Sequence, residues 1–286
     1  MKKEFNGDSV IIMSCSKCNA NCKHCYISFD GNLDGSELYD MVSKLKDKYK
    51  IYINGTEPLM NKDFLKSYEL ATYDEPITNG LVFYNNYEYI DELKKVGIKE
   101  IRLSYHFDMH DIISPVKKEY LHELFEEIKK RGLDFVIMCS LSSSNYMKVP
   151  EYCAAAVKFG AKAIKFTNFI SQGKAKELDQ ELMLKKEHYD EFFKLLHEMR
   201  DKYDKDVLEI RRCGSFGADT YGKSNFKCDA GRECVCITPD KKVYPCIFFC
   251  KEGNEIGYYD DGKIFITKDF INDGNKCLAR STYNGI

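Results

Sequence analysis

The sequence predicts an α/β protein: a partial (β/α)6 TIM-like barrel over residues 1–205, followed by a small α+β domain over residues 206–286. Three observations carry that reading. Short runs rich in Ile, Val, Phe and Tyr alternate with amphipathic helical stretches, the pattern of right-handed crossovers and a parallel sheet. Six such units fit about the first 200 residues, whereas a closed eight-stranded barrel takes ~250. From Cys213 onward the chain becomes Gly- and Cys-rich with only short strand runs, a core too thin to stand unaided.

The strand runs are Ser9–Met13, Lys50–Ile53, Pro76–Thr78, Glu100–Tyr105, Leu133–Cys139 and Ala163–Thr167, in the β-branched and aromatic composition that strands favour. Between them, Leu38, Met41, Val42 and Leu45 recur at helical spacing, with Ser36 as the expected N-cap. A second helix runs from Tyr87 to Val96 and stops at Gly97. A third carries Tyr120, Leu121, Leu124, Phe125 and Ile128, with Gly132 where a terminating glycine belongs. A long helix, Lys185–Tyr203, leads to a strand at Val207–Arg211, and the last segment offers short strands at Lys242–Tyr244 and Lys263–Thr267.

Composition narrows the function classes. The 286 residues hold 43 Lys+Arg against 45 Asp+Glu, a formal net charge of −2, without the basic footprint of a nucleic-acid partner. No apolar run approaches the roughly 20 residues that cross a bilayer, and Val10–Met13 is too short for a signal-peptide core. No membrane partner and a cytoplasmic location are therefore expected. In a reducing compartment 13 cysteines, an odd number, are not a disulfide framework. Cys139 and Cys153 read as buried small apolar residues. The others fall at the two ends of the chain, Cys15, Cys18, Cys22 and Cys25 near the start and seven from Cys213 to Cys277, which argues for two metal centres.

The first group sits directly after strand one, at the carboxyl end where such sheets gather their chemistry. Cys18, Cys22 and Cys25 on one short loop can take three irons of a four-iron cubane and leave the fourth open, whereas an electron carrier fills all four positions with Cys. This Cys-x3-Cys-x2-Cys loop resembles that of the radical S-adenosylmethionine (SAM) superfamily. Further segments follow in the family's order: Asn54-Gly55-Thr56-Glu57-Pro58 after strand two, Thr78-Asn79-Gly80 after strand three, Ser104 at the end of strand four and Asn145 after strand five. Thr56 replaces the family's second Gly. The resemblance implies a [4Fe-4S] cluster on Cys18, Cys22 and Cys25 whose open iron chelates SAM. It also implies SAM contacts from Gly55, Thr56, Glu57, Thr78, Asn79, Ser104 and Asn145, with Glu57 accepting from the SAM ammonium. Tyr26, beside the third cysteine, is a candidate to pack near the adenine. Cys15-x2-Cys18 also has a zinc-like spacing. That reading leaves Glu57 and Thr78–Gly80 unexplained, so Cys15 is read as a spare or structural thiol. His106 and His110, in Ser104–Asp111, fall at the expected catalytic rim. His122, His188 and His197 read as solvated or capping groups on helices.

The second group, Cys228-x5-Cys234-x-Cys236-x9-Cys246 with an Ala-Gly start and a Val-Tyr-Pro-Cys end, resembles the SPASM/twitch extension of a subset of that superfamily. Lys241 stands where the extension has a turn glycine. The resemblance implies one auxiliary [4Fe-4S] cluster on Cys228, Cys234 and Cys246, with Cys277 as fourth ligand ahead of Cys250 and Cys213. The rival here is a zinc ribbon, but Cys-x2-Cys knuckles are missing. Cys213, Cys236 and Cys250 remain as candidate hydrogen-atom donors to a substrate radical.

Taken together, the resemblance implies a peptide-modifying enzyme. It would cleave SAM to a 5′-deoxyadenosyl radical and take a hydrogen atom from a precursor peptide, with cross-link, thioether or epimerisation as the outcome. Flavodoxin or ferredoxin would supply the electron. The alternatives are a small-molecule dehydrogenase or epimerase, and a non-catalytic iron–sulfur carrier or redox sensor, for which Glu57-Pro58 would have no use.

Overall fold

The strand–helix alternation becomes two sheets in the computed structural model, which describes residues 2–73, 75–178, 180–219, 221 and 226–285. The strands are β1 (Lys3–Glu4), β2 (Ser9–Met13), β3 (Lys50–Asn54), β4 (Ile77–Thr78), β5 (Glu100–Ser104), β6 (Asp134–Leu141), β7 (Ala163–Asn168), β8 (Glu209–Arg212), β9 (Cys234–Ile237), β10 (Lys242–Tyr244), β11 (Gly257–Asp260) and β12 (Lys263–Ile266). The helices are α1 (Gly35–Leu45), α2 (Leu65–Tyr68), α3 (Glu88–Lys95), α4 (His110–Ile113), α5 (Lys118–Lys130), α6 (Val149–Phe159), α7 (Lys186–Lys202) and α8 (Leu278–Tyr283).

β4 to β8 lie side by side in chain order in a five-stranded sheet, and β1-β12-β11-β10-β9-β2-β3 form a seven-stranded one. β2 is parallel to both β3 and β9. A single parallel bridge from Tyr52 to Tyr73 carries β3 towards β4, with the two rings stacked 4.1 Å apart. The six strands expected from the sequence are β2 to β7, successive and interleaved with helices, as the α/β partial-barrel class requires. Glu209–Arg212 joins them as a further parallel strand on β7. Its ladder is anchored by Glu209 N donating to Lys162 O at 3.0 Å and Cys213 N to Phe166 O at 2.8 Å. The antiparallel strands β9 to β12 continue the sheet outward from β2, and β1 closes the far edge against β12.

Alternation along each strand decides the two faces. Val10, Ile12, Ile51, Ile53, Ile101, Leu103, Phe135, Ile137, Ile164, Phe166 and Ile210 are buried in the main core with the helices. The intervening residues face the other way, into the barrel. There Met13 packs with Cys236, Tyr244 and Cys250. Cys139 and Cys153 are both fully buried in the main core.

Helix ends follow local chemistry. The N-cap of α1 is Asp34, not Ser36. The Asp34 carboxylate accepts from Glu37 N at 2.8 Å and from Ser36 Oγ at 2.7 Å, and Glu37 reaches back to Asp34 N. A carboxylate in that position satisfies two donors and favours the positive end of the helix. Gly132 follows α5 with φ +67°, the left-handed conformation that favours glycine. Lys241 takes φ +64° at the turn where the extension has glycine, so a side chain bears that strain.

Phe125 on α5 is fully buried and stacks on Phe135 of β6 with centroids 4.8 Å apart. Truncation to Ala leaves a cavity between helix and sheet and is expected to cost about 3–5 kcal/mol. Since the chain has no Trp, urea unfolding followed by far-UV circular dichroism is the measurement. A loss below about 1 kcal/mol would mean that this helix–sheet contact is not well packed.

Candidate functional site

The loop that leaves β2 is held at both ends. Ser14 N and Ser14 Oγ both donate to Asn54 O on β3, at 2.7 and 2.8 Å. Cys15 bridges to Asn32 and is buried, 5% exposed, a structural position. Gly55 presses on it: a Cβ there would lie 2.8 Å from Cys15 Sγ and 3.0 Å from Ser14 Oγ, so only glycine fits. Thr56 hangs from the same strand end, its N–H donating to Cys15 O at 2.9 Å and its hydroxyl at 3.3 Å.

Cys18, Cys22 and Cys25 are all half-buried on this loop. Cys18 Sγ accepts from Ala20 N at 3.4 Å and from Asn79 Nδ2 at 3.5 Å. Burial pushes the Cys22 thiol up to about 11, and the nearby Cys18 and Cys25 add to the effect. Burial raises the Cys18 thiol too, so Cys18 and Cys22 hold their protons at neutral pH until a metal displaces them. Among the described residues no three His, Cys, Asp or Glu side chains converge on the position of one metal ion. A cubane makes a different demand, since each thiolate binds a separate iron.

Glu57 lies beside this loop, 1% exposed. Its Oε2 accepts from Asn79 N at 2.7 Å, while Oε1 is buried with no hydrogen-bond partner among the described residues. Burial pushes the carboxyl up to about 7, against the opposing pull of the Thr78 hydroxyl and the Asn79 amide. Thr78 Oγ1 accepts from Gly80 N at 3.0 Å and Asn79 Oδ1 from Leu81 N at 2.8 Å, which fixes this turn. A buried acceptor left empty beside three thiols is what a cationic ligand head group would satisfy. The donor set and this orphaned oxygen therefore fit a SAM-binding four-iron cluster.

The rest of the rim comes from β5 and β6. Ser104 is half-buried at the end of β5. Asn145, 2% exposed, closes the turn after β6 by accepting from Ser142 N at 2.7 Å. His106 is 3% exposed, and its Nδ1 accepts from Ser140 N at 3.1 Å. That bond assigns the proton to Nε2, which is buried without a partner. Burial pushes its pKa well below the ordinary value, so it is neutral at pH 7. His110, fully buried, uses Nε2 on Val116 O at 2.8 Å and serves the loop's packing. His188 accepts from Lys185 N as a helix cap. His122 bonds the Tyr105 hydroxyl and His197 bonds Asp219, both at 2.7 Å.

The sequence reading passed over His24. Its ring meets His106 edge-on at 4.6 Å and Phe169 at 6.0 Å, and burial lowers its pKa to about 4. The available signal was its place between the second and third loop cysteines. The Tyr26 ring packs on Phe248 at 4.8 Å, close to Cys25, Cys213, Cys250 and Cys236.

Folding also gathers the C-terminal cysteines. Cys246 and Cys277 share a small apolar cluster with Phe249 and Ala279, and Cys228 lies near both. Cys228 acts on Cys234 as well, whose thiol burial pushes up to about 11. Asn272 pins the loop by donating to Cys228 O and Ala230 O at 2.9 and 2.8 Å. Cys236 and Cys250 form a buried pair with sulfurs 3.3 Å apart, while Cys213 is half-buried just past β8.

The sequence matches no protein-family model and no curated protein. The solved structures are more informative. Streptococcus suis SuiB bound to S-adenosylmethionine superposes with a TM-score of 0.67 at 16% identity, over 98% of this chain and 66% of that one. SuiB bound to precursor peptide SuiA gives 0.65 at 14%, over 98% and 65%. Native anSMEcpe with bound AdoMet gives 0.65 at 20%, over 87% and 77%. The chain thus spans just under two thirds of SuiB. Identities this low speak to fold alone, and this chain shares the fold of SuiB and anSMEcpe.

Proposed function

We propose that the protein is a radical SAM enzyme that modifies a peptide. The observation that carries this is Glu57, whose Oε1 is buried and, among the described residues, unpartnered, near Cys18 of the loop through Asn79. Structures of SuiB with precursor peptide SuiA and of anSMEcpe with the Kp18Cys peptide, both of this fold, support a peptide as the substrate class. Cys18, Cys22 and Cys25 would hold a [4Fe-4S] cluster, and Cys228, Cys234, Cys246 and Cys277 an auxiliary one within residues 206–286. When bound, the first cluster and SAM supply a 5′-deoxyadenosyl radical.

The rest falls to the chain. Glu57 Oε1 accepts from the SAM ammonium, and Gly55 leaves room for the backbone to approach. Ser104 and Asn145 bond the ribose. The rings of half-buried His24 and buried His106 help keep water from the rim, and neither carries a charge at pH 7. Cys213 is the favoured hydrogen-atom donor among the three candidates, being half-buried where Cys236 and Cys250 are fully buried.

The deciding experiment is anaerobic: reconstituted protein, dithionite and SAM, with 5′-deoxyadenosine quantified by mass spectrometry. Its formation is expected; none from protein with its full iron, together with no binding of SAM to that protein, would turn the reading towards an electron carrier. For the second centre, replacing Cys228, Cys234 and Cys246 together by Ala should remove roughly half the iron and sulfide of a two-cluster protein. Iron content equal to the parent's would eliminate the auxiliary cluster.

A further inference from the structure

A cavity of about 610 Å³ opens where β8 ends the five-stranded sheet. Five of its nine lining residues are cations, Lys165, Arg200, Lys205, Arg211 and Arg212, against one carboxylate, Glu209. In a chain of net charge −2 that concentration is local. The nearby carboxylates are already engaged. Arg211 takes both Glu209 and Glu100 at 2.7 Å, and Arg102 takes Glu75. Arg200 donates from Nε to Ile210 O on β8 at 3.0 Å while still lining the cavity.

Lys165 is the exception. It comes from β7, in register with Arg211 on β8, and among the described residues its side chain has no ion pair and no hydrogen bond. Arg102 and Arg211 are its like-charged neighbours, and Cys213 lies close by. Burial and those guanidinium groups push its pKa down. An ammonium held there without an anion is costly, and a ligand carboxylate would offset that cost. The Arg200 guanidinium, which also lines the cavity, is of a type that suits carboxylates. The cations wall a concavity and do not run as a stripe along a surface, which disfavours nucleic acid.

We propose that the cavity at the free edge of β8 binds an acidic stretch of the peptide substrate, seating a carboxylate on Lys165 and leading the chain past Cys213 into the barrel. This rests on the peptide reading above and names the charge of the sequence recognised. The test uses the full-length reconstituted protein without dithionite or SAM. A fluorescein-labelled peptide, Gly-Ser-Glu-Glu-Glu-Ser-Gly, is titrated by anisotropy beside its Gln counterpart, with inorganic phosphate as competitor. The Glu peptide should bind about tenfold or more tightly than the Gln peptide. Lys165→Met and Lys205→Glu should each weaken it severalfold, with Lys205, exposed on the surface, serving as the variant that cannot fail by misfolding. Equal binding of the two peptides, or affinity untouched in both variants, overturns the proposal. So does displacement by phosphate as effective as by unlabelled peptide, which would make this a site for a small free oxyanion. Because no turnover is read, a protein that binds the acidic peptide yet forms no 5′-deoxyadenosine overturns the radical reading alone.

Discussion

Replacing Cys18, Cys22 and Cys25 together by Ala is expected to abolish SAM cleavage, to background in a 5′-deoxyadenosine assay, and to remove roughly half the iron of a two-cluster protein. All three sit on the loop held to β3 through Ser14, and none packs in the main core. The variant should therefore fold, and its far-UV circular dichroism should match the parent's. Cleavage surviving in the folded triple variant would remove these residues from the site. The converse set, Cys139 and Cys153, is buried among apolar side chains, so replacing either should cost stability and leave the iron content alone.

The second large effect is at Glu57. Its carboxyl titrates near 7 in the folded chain against an ordinary 4.5. The folded state therefore holds a proton that the unfolded state releases earlier, and the stability this provides is complete below pH 4.5. It is lost as pH rises through about 7. In the absence of SAM, the parent should lose up to roughly 3 kcal/mol over this window relative to Glu57→Gln, measured as paired urea titrations across pH. SAM binding works in the opposite direction. Its ammonium needs the ionised carboxylate, so affinity in the parent should climb with pH up to about 7 and then level. In Glu57→Gln it should be weaker and flat. Parallel pH profiles for the two proteins would show that Glu57 does not meet the ligand.

Much of this site is legible along the chain. The loop cysteines, Asn54–Pro58 and Thr78–Gly80 are short segments that each follow a strand, and strand periodicity assigns their end of the barrel. The α1 cap shows where local reading falls short. Ser36 and Asp34 are both good caps by type, and the choice is made by the reciprocal bond with Glu37. β8 was read in place and type but not in its partner, because pairing with β7 depends on register between residues far apart in sequence.

The sequence by itself determined the alternating parallel architecture, the two cysteine groups and the positions expected to meet SAM. These are properties of nearest neighbours along the chain: spacing, period and turn chemistry. Only the tertiary structure brought Cys277 beside Cys228 and Cys246, set His24 against His106, turned Tyr26 towards Phe248 and the C-terminal thiols, and left the Lys165 side chain with no carboxylate partner among the described residues. Each of these depends on which side chains meet across strands and loops far apart in sequence. Local pattern does not carry that information; packing and burial do.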